Sequence, residues 1–117
     1  MSGTSWAFLA IVVALFLLKM FLGRPSDDQL SVMKSAVESG GLLLDVRSPG
    51  EFSGQHLDGA INIPVGELSG RMGELGDKDR PVVVYCASGA RSRAAMGILL
   101  DGGFEEVHDL GSWRNWR

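Results

Sequence analysis

The only cysteine of the chain, Cys86, ends the apolar run Val82-Val83-Val84-Tyr85 and opens a stretch of small residues, Ala87-Ser88-Gly89-Ala90, that closes on Arg91 and Ser92. Small residues let the backbone curl tightly and point successive N–H groups at one centre, a nest that binds anions. A helix is predicted from Gly89 and Ala90 through Ala94, Ala95, Ile98 and Leu99, stopped by Gly102 and Gly103. Its positive end and the charge of Arg91 both favour a negative charge on the Cys86 sulfur, which makes a persistent nucleophile at neutral pH. Free cysteines are often small, inert core residues. The conjunction of strand end, glycine loop, arginine and helix start outweighs that reading here.

Other residues that could do chemistry read more simply as structure. Asp45 and Arg47 stand two apart at the end of another apolar run, where a carboxylate and a guanidinium more often fix neighbouring loops than touch substrate. They are assigned a supporting role. His56 lies in a turn-like Gly54-Gln55-His56 stretch with no sequence partner to orient it as a base, and His108 is in the same position on a predicted strand. Two histidines and one cysteine match no zinc spacing, so no metal is expected. Arg93 either extends the positive field at the loop or solvates a helix face, and the sequence leaves both readings open. Trp113 and Trp116, spaced by three, are expected to pack on the domain rather than reach a bilayer interface.

The loop needs elements to hold it. Ser26 and Gln29 form a capping box for a helix in which Leu30, Met33 and Val37 line one face, and Ser48, Pro49 and Glu51 start a second helix. Leu42, Leu43, Leu44 and Val46 read as a strand buried on both faces, and Ala60–Ile63 as a short strand ended by Pro64. Leu68, Met72 and Leu75 repeat at helical spacing before the turn residues Gly76–Asp79. Val82–Tyr85 is the clearest strand, and Val107–Leu110 a final one. Alternating strands and helices imply a parallel sheet covered on both sides, and ligands of such sheets bind at the carboxyl ends of the strands, where Cys86 lies.

In front of this domain, residues 6–22 (WAFLAIVVALFLLKMFL) are apolar except for Lys19. A helix of that length spans roughly 26 Å, and Lys19 lies where its ammonium can reach lipid headgroups. No basic residue precedes the run and no small-x-small cleavage site follows it, which favours an uncleaved anchor over a signal peptide. Lys19 and Arg24 on its C-terminal side predict a single-pass membrane protein whose main domain is cytoplasmic. Gly23 has no small partner four residues away inside the run, so the usual helix-dimer motif is missing. Residues 1–25 are therefore read as anchor and linker, and 26–117 as one domain. The 117 residues leave room for a single core. A net charge of −3 argues against nucleic acid as a partner, and a lone cysteine rules out an internal disulfide and suits a reducing compartment.

From Ser26 to Trp116 the sequence resembles the rhodanese family. Leu43-Leu44-Asp45-Val46-Arg47, then Glu51-Phe52, then His56-Leu57-Asp58-Gly59-Ala60-Ile61-Asn62-Ile63-Pro64 look like its first signature, and the Cys86 loop like its second. A Cys-x-x-Gly-x-Arg loop alone is a weak signal, whereas both signatures in order around a βα alternation are strong. The resemblance implies a small α/β domain with a central parallel sheet flanked by helices, preceded here by one transmembrane helix. It implies a sulfurtransferase of the thiosulfate type. Cys86 takes sulfane sulfur from a donor such as thiosulfate as a persulfide and passes it to cyanide, a thiol or a protein acceptor, without cofactor or metal. Ala87, Ser88, Gly89, Ala90, Arg91 and Ser92 are the expected anion-binding residues. A membrane-tethered persulfide carrier or docking module is the alternative of a different class. Cysteine phosphatase or arsenate reductase activity is a lesser one, since such phosphatases place five residues between Cys and Arg. Here there are four, and Tyr85 stands where many of them carry a histidine.

Overall fold

The computed structural model describes residues 2–117, and the side chains of residues 5–18 and 23–117. The first helix, α1 (Ser2–Leu22), exposes every described side chain from Ser5 to Leu18. The membrane-spanning anchor expected over residues 6–22 is not supported, because among the described residues no helix is long and apolar enough to cross a membrane. The reach of Lys19 to headgroups lies outside the described residues. The single-pass topology and cytoplasmic placement that depended on the anchor are likewise unsupported.

Capping boxes start two of the helices that follow. At α2 (Asp27–Glu38), the Ser26 hydroxyl accepts the Gln29 N–H at 3.1 Å while the Ser26 N–H donates to Gln29 Oε1 at 2.9 Å. After β1 (Leu42–Asp45), the same arrangement between Ser48 and Glu51 opens α3 (Pro49–Gly54), with proline in the first turn where its missing N–H costs nothing. β2 holds only Ile61–Asn62, shorter than the predicted strand: Pro64 has no N–H to give to a ladder, although the Ile63 and Val65 N–H groups on either side of it still donate to the Asp45 and Val46 carbonyls at 3.0 and 3.1 Å. The predicted helix around Leu68, Met72 and Leu75 is broken into a 3-10 turn (Val65–Glu67), α4 (Leu68–Arg71) and a second 3-10 turn (Met72–Leu75). Gly66, Gly70 and Gly73 weaken it, each costing about 1 kcal/mol against alanine in a helix interior. β3 (Val82–Cys86), α5 (Ala90–Asp101), β4 (Val107–Ser112) and a 3-10 turn (Trp113–Asn115) complete the domain.

The four strands form one parallel sheet in the order β2-β1-β3-β4. Side chains of a strand alternate between faces, and the two central strands are apolar at nearly every position, so both faces are covered. Leu42, Leu44, Val82, Val84 and Cys86 face Leu68, Leu75, Ala95, Leu99 and Phe104 from the α4 and α5 side. Leu43, Val83 and Tyr85 face Leu30 and Met33 of α2, with Val37, Trp113 and Trp116 packed against them. The tryptophans thus pack on the domain, as expected. β4 runs two residues further than predicted because of a bulge: Val84 pairs with Asp109 but Tyr85 pairs with Gly111, so pairing resumes after Leu110 and reaches Ser112 opposite Cys86.

Leu99 and Leu100 are adjacent on α5, but Leu99 is fully buried and Leu100 is 46% exposed. Leu99→Ala is expected to lower unfolding stability by about 2–5 kcal/mol, and Leu100→Ala by roughly 0.5 kcal/mol or less. Midpoints of urea unfolding measured on both variants check the assigned helix face.

Candidate functional site

Cys86 is the last residue of β3, at the carboxyl edge of the sheet, and its side chain is fully buried. The chain then reverses within the loop, and the Gly89 N–H donates to Cys86 Sγ at 2.9 Å. Gly89 makes this possible with φ = +108°, a conformation that costs any other residue strain. It is also the N-cap of α5, with no side chain capping the first turn, so the positive end of that helix faces the loop. A Cβ on Gly89 would lie 3.9 Å from the Cα of Gly111, the glycine at φ = +76° that follows the β4 bulge. Asp109 fixes that bulge by accepting the Gly111 N–H at 2.8 Å. Bulges beside functional sites re-aim the chain, and this one seats β4 against the loop.

The rest of the loop sorts by exposure. Ser88 and Ala90 are exposed at its rim, and Ala87 and Arg91 are half-buried. Ser92 is buried and donates its hydroxyl to the Gly89 carbonyl at 3.1 Å, tying the first turn of α5 back to the loop. Arg91 reaches across to α3 and grips Glu51 with two hydrogen bonds, Nη1 to Oε1 at 2.7 Å and Nη2 to Oε2 at 3.1 Å. The Arg91 guanidinium, helped by Ser48, holds the Glu51 carboxyl down at about 2, and Glu51 in turn raises the pKa of Arg91. Arg91 is therefore an ion-paired brace between loop and helix.

Below the loop, Asp45 and Arg47 form a buried pair at the end of β1. Arg47 donates its backbone N–H to Asp45 Oδ1 at 2.8 Å and its Nη2 to Oδ2 at 2.7 Å, and the same Nη2 bonds the Gln55 carbonyl at 2.6 Å. The hydrogen bond to Asp45 raises the Arg47 pKa. Asn62 on β2 donates to the carbonyls of both Asp45 and Arg47. The Arg47 guanidinium lies over the ring of Tyr85, 5.8 Å from its centroid, and the Tyr85 hydroxyl accepts the Leu57 N–H at 3.1 Å. Burial pushes that phenol up to about 12, so it stays protonated.

The structure thus brings residues 87–92, Arg91 among them, around Cys86, and joins Asp45 and Arg47 in a buried pair at the end of β1. The histidines stand elsewhere: His56 is stacked on Phe52 and bonded to its carbonyl, and His108 is paired with Glu106. Two surface depressions, one lined by α2 and Arg117 and one between α2 and β4, include no residue of the loop. Sequence reasoning missed Glu51 as the partner of Arg91, having read it as a cap and as part of the first signature. It also missed Tyr85, Gln55 and Asn62 as braces, and Gly111 as the surface against which the loop closes.

Removing Asp45 leaves the Arg47 guanidinium buried without its partner. Asp45→Ala is expected to cost about 3–5 kcal/mol, read from denaturant unfolding. The Glu51–Arg91 pair predicts a pH effect whose sign is fixed by the lowered carboxyl pKa. Its stabilisation is fully present above the unfolded value of 4.5 and is lost as pH falls through about 2. The difference in thermal midpoint between wild type and Glu51→Gln should be constant above about pH 5 and vanish towards about pH 2. A difference that persists at the acid end would show that the pair is not its source.

A family model described as Rhodanese-like domain matches residues 29–117. The uncharacterized protein YqhL of Bacillus subtilis (strain 168) is 41% identical over 75 residues, 63% of this chain and 59% of that protein. The thiosulfate sulfurtransferase PspE of Escherichia coli (strain K12) is 37% identical over 73 residues, 62% of this chain and 70% of that one. A solved structure of rhodanese with anions from E. coli superposes with a TM-score of 0.62 at 35% identity, covering 65% of this chain and 91% of the other. The match thus spans about three fifths of the Bacillus protein's length. With both signature segments standing at one edge of a parallel sheet, and the family model covering most of its length, this chain belongs to the rhodanese-like domain family.

Proposed function

We propose that this chain is a rhodanese-type sulfurtransferase in which Cys86 carries sulfur as a persulfide. The observation that carries the reading is the closed loop itself: a buried sulfur at the end of β3 accepts a backbone N–H and faces the uncapped first turn of α5. Such a site stabilises negative charge on sulfur through fixed dipoles, which need no reorganisation as the charge moves. The name of the E. coli relative, a thiosulfate sulfurtransferase, supports the same activity.

In the first step the Cys86 thiolate attacks the outer sulfur of a donor. With thiosulfate, the S–S bond of the donor breaks, sulfite leaves with the electron pair, and Cys86 becomes a persulfide anion. In the second step an acceptor such as cyanide attacks the outer sulfur of that persulfide, thiocyanate leaves, and the Cys86 thiolate is restored. The amides of Ala87, Ser88, Gly89, Ala90, Arg91 and Ser92 hold the anionic donor and the persulfide. The Arg91 side chain braces the loop through Glu51, and Asp45 and Arg47 fix the layer beneath it. The domain so defined runs from residue 26 to 117. Four residues between Cys86 and Arg91 make a smaller ring than that of the cysteine phosphatases, and a smaller ring suits one sulfur atom better than a tetrahedral phosphate.

Intact mass of the detergent-solubilised full chain tests the proposal, before and after incubation with thiosulfate or with a thiol persulfide. A gain of about 32 Da, one sulfur, is expected, removed by cyanide and absent in Cys86→Ser. No gain from either donor on a folded protein would overturn the reading.

A further inference from the structure

Resting on the sulfurtransferase reading, we infer that Glu51 is a specificity-determining residue: by cancelling the charge of Arg91, it fits the Cys86 loop to an organic persulfide as donor in preference to the thiosulfate dianion. The Cys86 loop contains one cationic side chain, Arg91, and both terminal nitrogens of its guanidinium are engaged by the two carboxylate oxygens of Glu51. The remaining loop side chains are those of two alanines, two serines and a glycine. Arg93 is exposed two residues along α5 from Arg91, and residues two apart on a helix do not share a face, so it projects away from the Glu51 side. Arg114 is stacked over Trp113, which packs against the cluster on the opposite face of the sheet from Cys86. With Cys86 ionised, the site is left with a net negative charge that only backbone dipoles offset. A dianion meets about twice the repulsion there that a donor with one charged sulfur meets.

Shape points the same way. The Cys86 side chain is fully buried, so the outer sulfur of a donor must enter the loop ahead of the rest of the molecule. In thiosulfate the next atom back carries three oxygens, which must then be accommodated at the loop's rim, where Ser88 and Ala90 are exposed. In an organic persulfide the next atom is a sulfur with a single carbon substituent. The step balances as before: Cys86 thiolate attacks the outer sulfur, the S–S bond of the persulfide breaks, and the organic thiolate leaves with the electron pair.

The test compares second-order rates of persulfide formation on the full chain in detergent, followed by intact mass, for thiosulfate and for the persulfide of N-acetylcysteine methyl ester. Each rate is divided by that of the same donor with free 2-mercaptoethanol, a thiol different from the donor's own, which removes the donors' intrinsic reactivities. The normalised rate is expected to be about tenfold or more higher for the organic persulfide. Two variants then restore positive charge by different routes, Glu51→Gln by releasing Arg91 and Ser88→Lys by adding an ammonium at the exposed rim. Either is expected to raise the ratio of the thiosulfate rate to the organic persulfide rate about tenfold, whatever each change does to both rates together. Equal normalised rates in the wild type, or a ratio of the two donors' rates unchanged in both variants, would overturn the inference while leaving the sulfurtransferase reading in place. Loading by neither donor would overturn that reading and this inference with it.

Discussion

The buried ion pair between Asp45 and Arg47 is the constraint on which the geometry of the site depends. Both side chains are out of solvent, and a buried charge is tolerated only when its hydrogen-bonding capacity is met. Meeting it ties four parts of the chain together. Arg47 reaches the Gln55 carbonyl just past α3 and lies over Tyr85 on β3, while Asn62 on β2 closes on the carbonyls of Asp45 and Arg47. Tyr85 is the residue before Cys86, so this polar layer sets where the thiol stands relative to α3. That relation matters because α3 presents Glu51 to the loop.

Glu51 then joins two roles in one carboxylate. It closes the capping box of α3, accepting from Ser48, and it holds Arg91 forty residues further along. The cap fixes the carboxylate's position before the loop is considered, so Arg91 meets a partner that has already lost its freedom. An ion pair between two mobile, exposed side chains gains little after paying their entropy. Here one partner is anchored by local structure. The Gly89–Gly111 approach works in parallel on the other side of the loop, where two residues without side chains let β4 close against it.

How much of this was legible in the sequence follows from the range of each interaction. The capping boxes, the buried central strands and the nucleophile at a strand end are local patterns, and residues 26–38, 42–54 and 82–99 carry them openly. The bulge in β4 depends on how Asp109 and Gly111 pair with β3, a contact that local periodicity does not encode. The segment after β2 misleads because its apolar spacing is helical while its glycines interrupt the helix, and spacing alone hides that conflict. Residues 6–22 differ: the anchor was read from their apolar composition, and among the described residues no helix is long and apolar enough to cross a membrane. The Glu51–Arg91 pair was hidden because Glu51 already had a sufficient local explanation, and a residue explained by its neighbours draws no search for a distant partner.

Charge in this domain is distributed so that the strong ion pairs brace and the weak dipoles receive. Asp45 with Arg47 and Glu51 with Arg91 each bring a full positive charge near the loop, and each is cancelled within hydrogen-bond distance. What remains to act on the sulfur is the Gly89 N–H and the first turn of α5. A lone guanidinium aimed at the thiolate would stabilise its charge strongly but would also bind it, slowing the transfer of that charge to an incoming or outgoing sulfur. Fixed dipoles stabilise the anion whether it sits on the cysteine sulfur or one bond further out, and so treat the two states of a sulfur carrier more evenly. For a reaction in which the same negative charge moves back and forth by one atom, a braced loop with a nearly neutral lining is the arrangement that favours neither end.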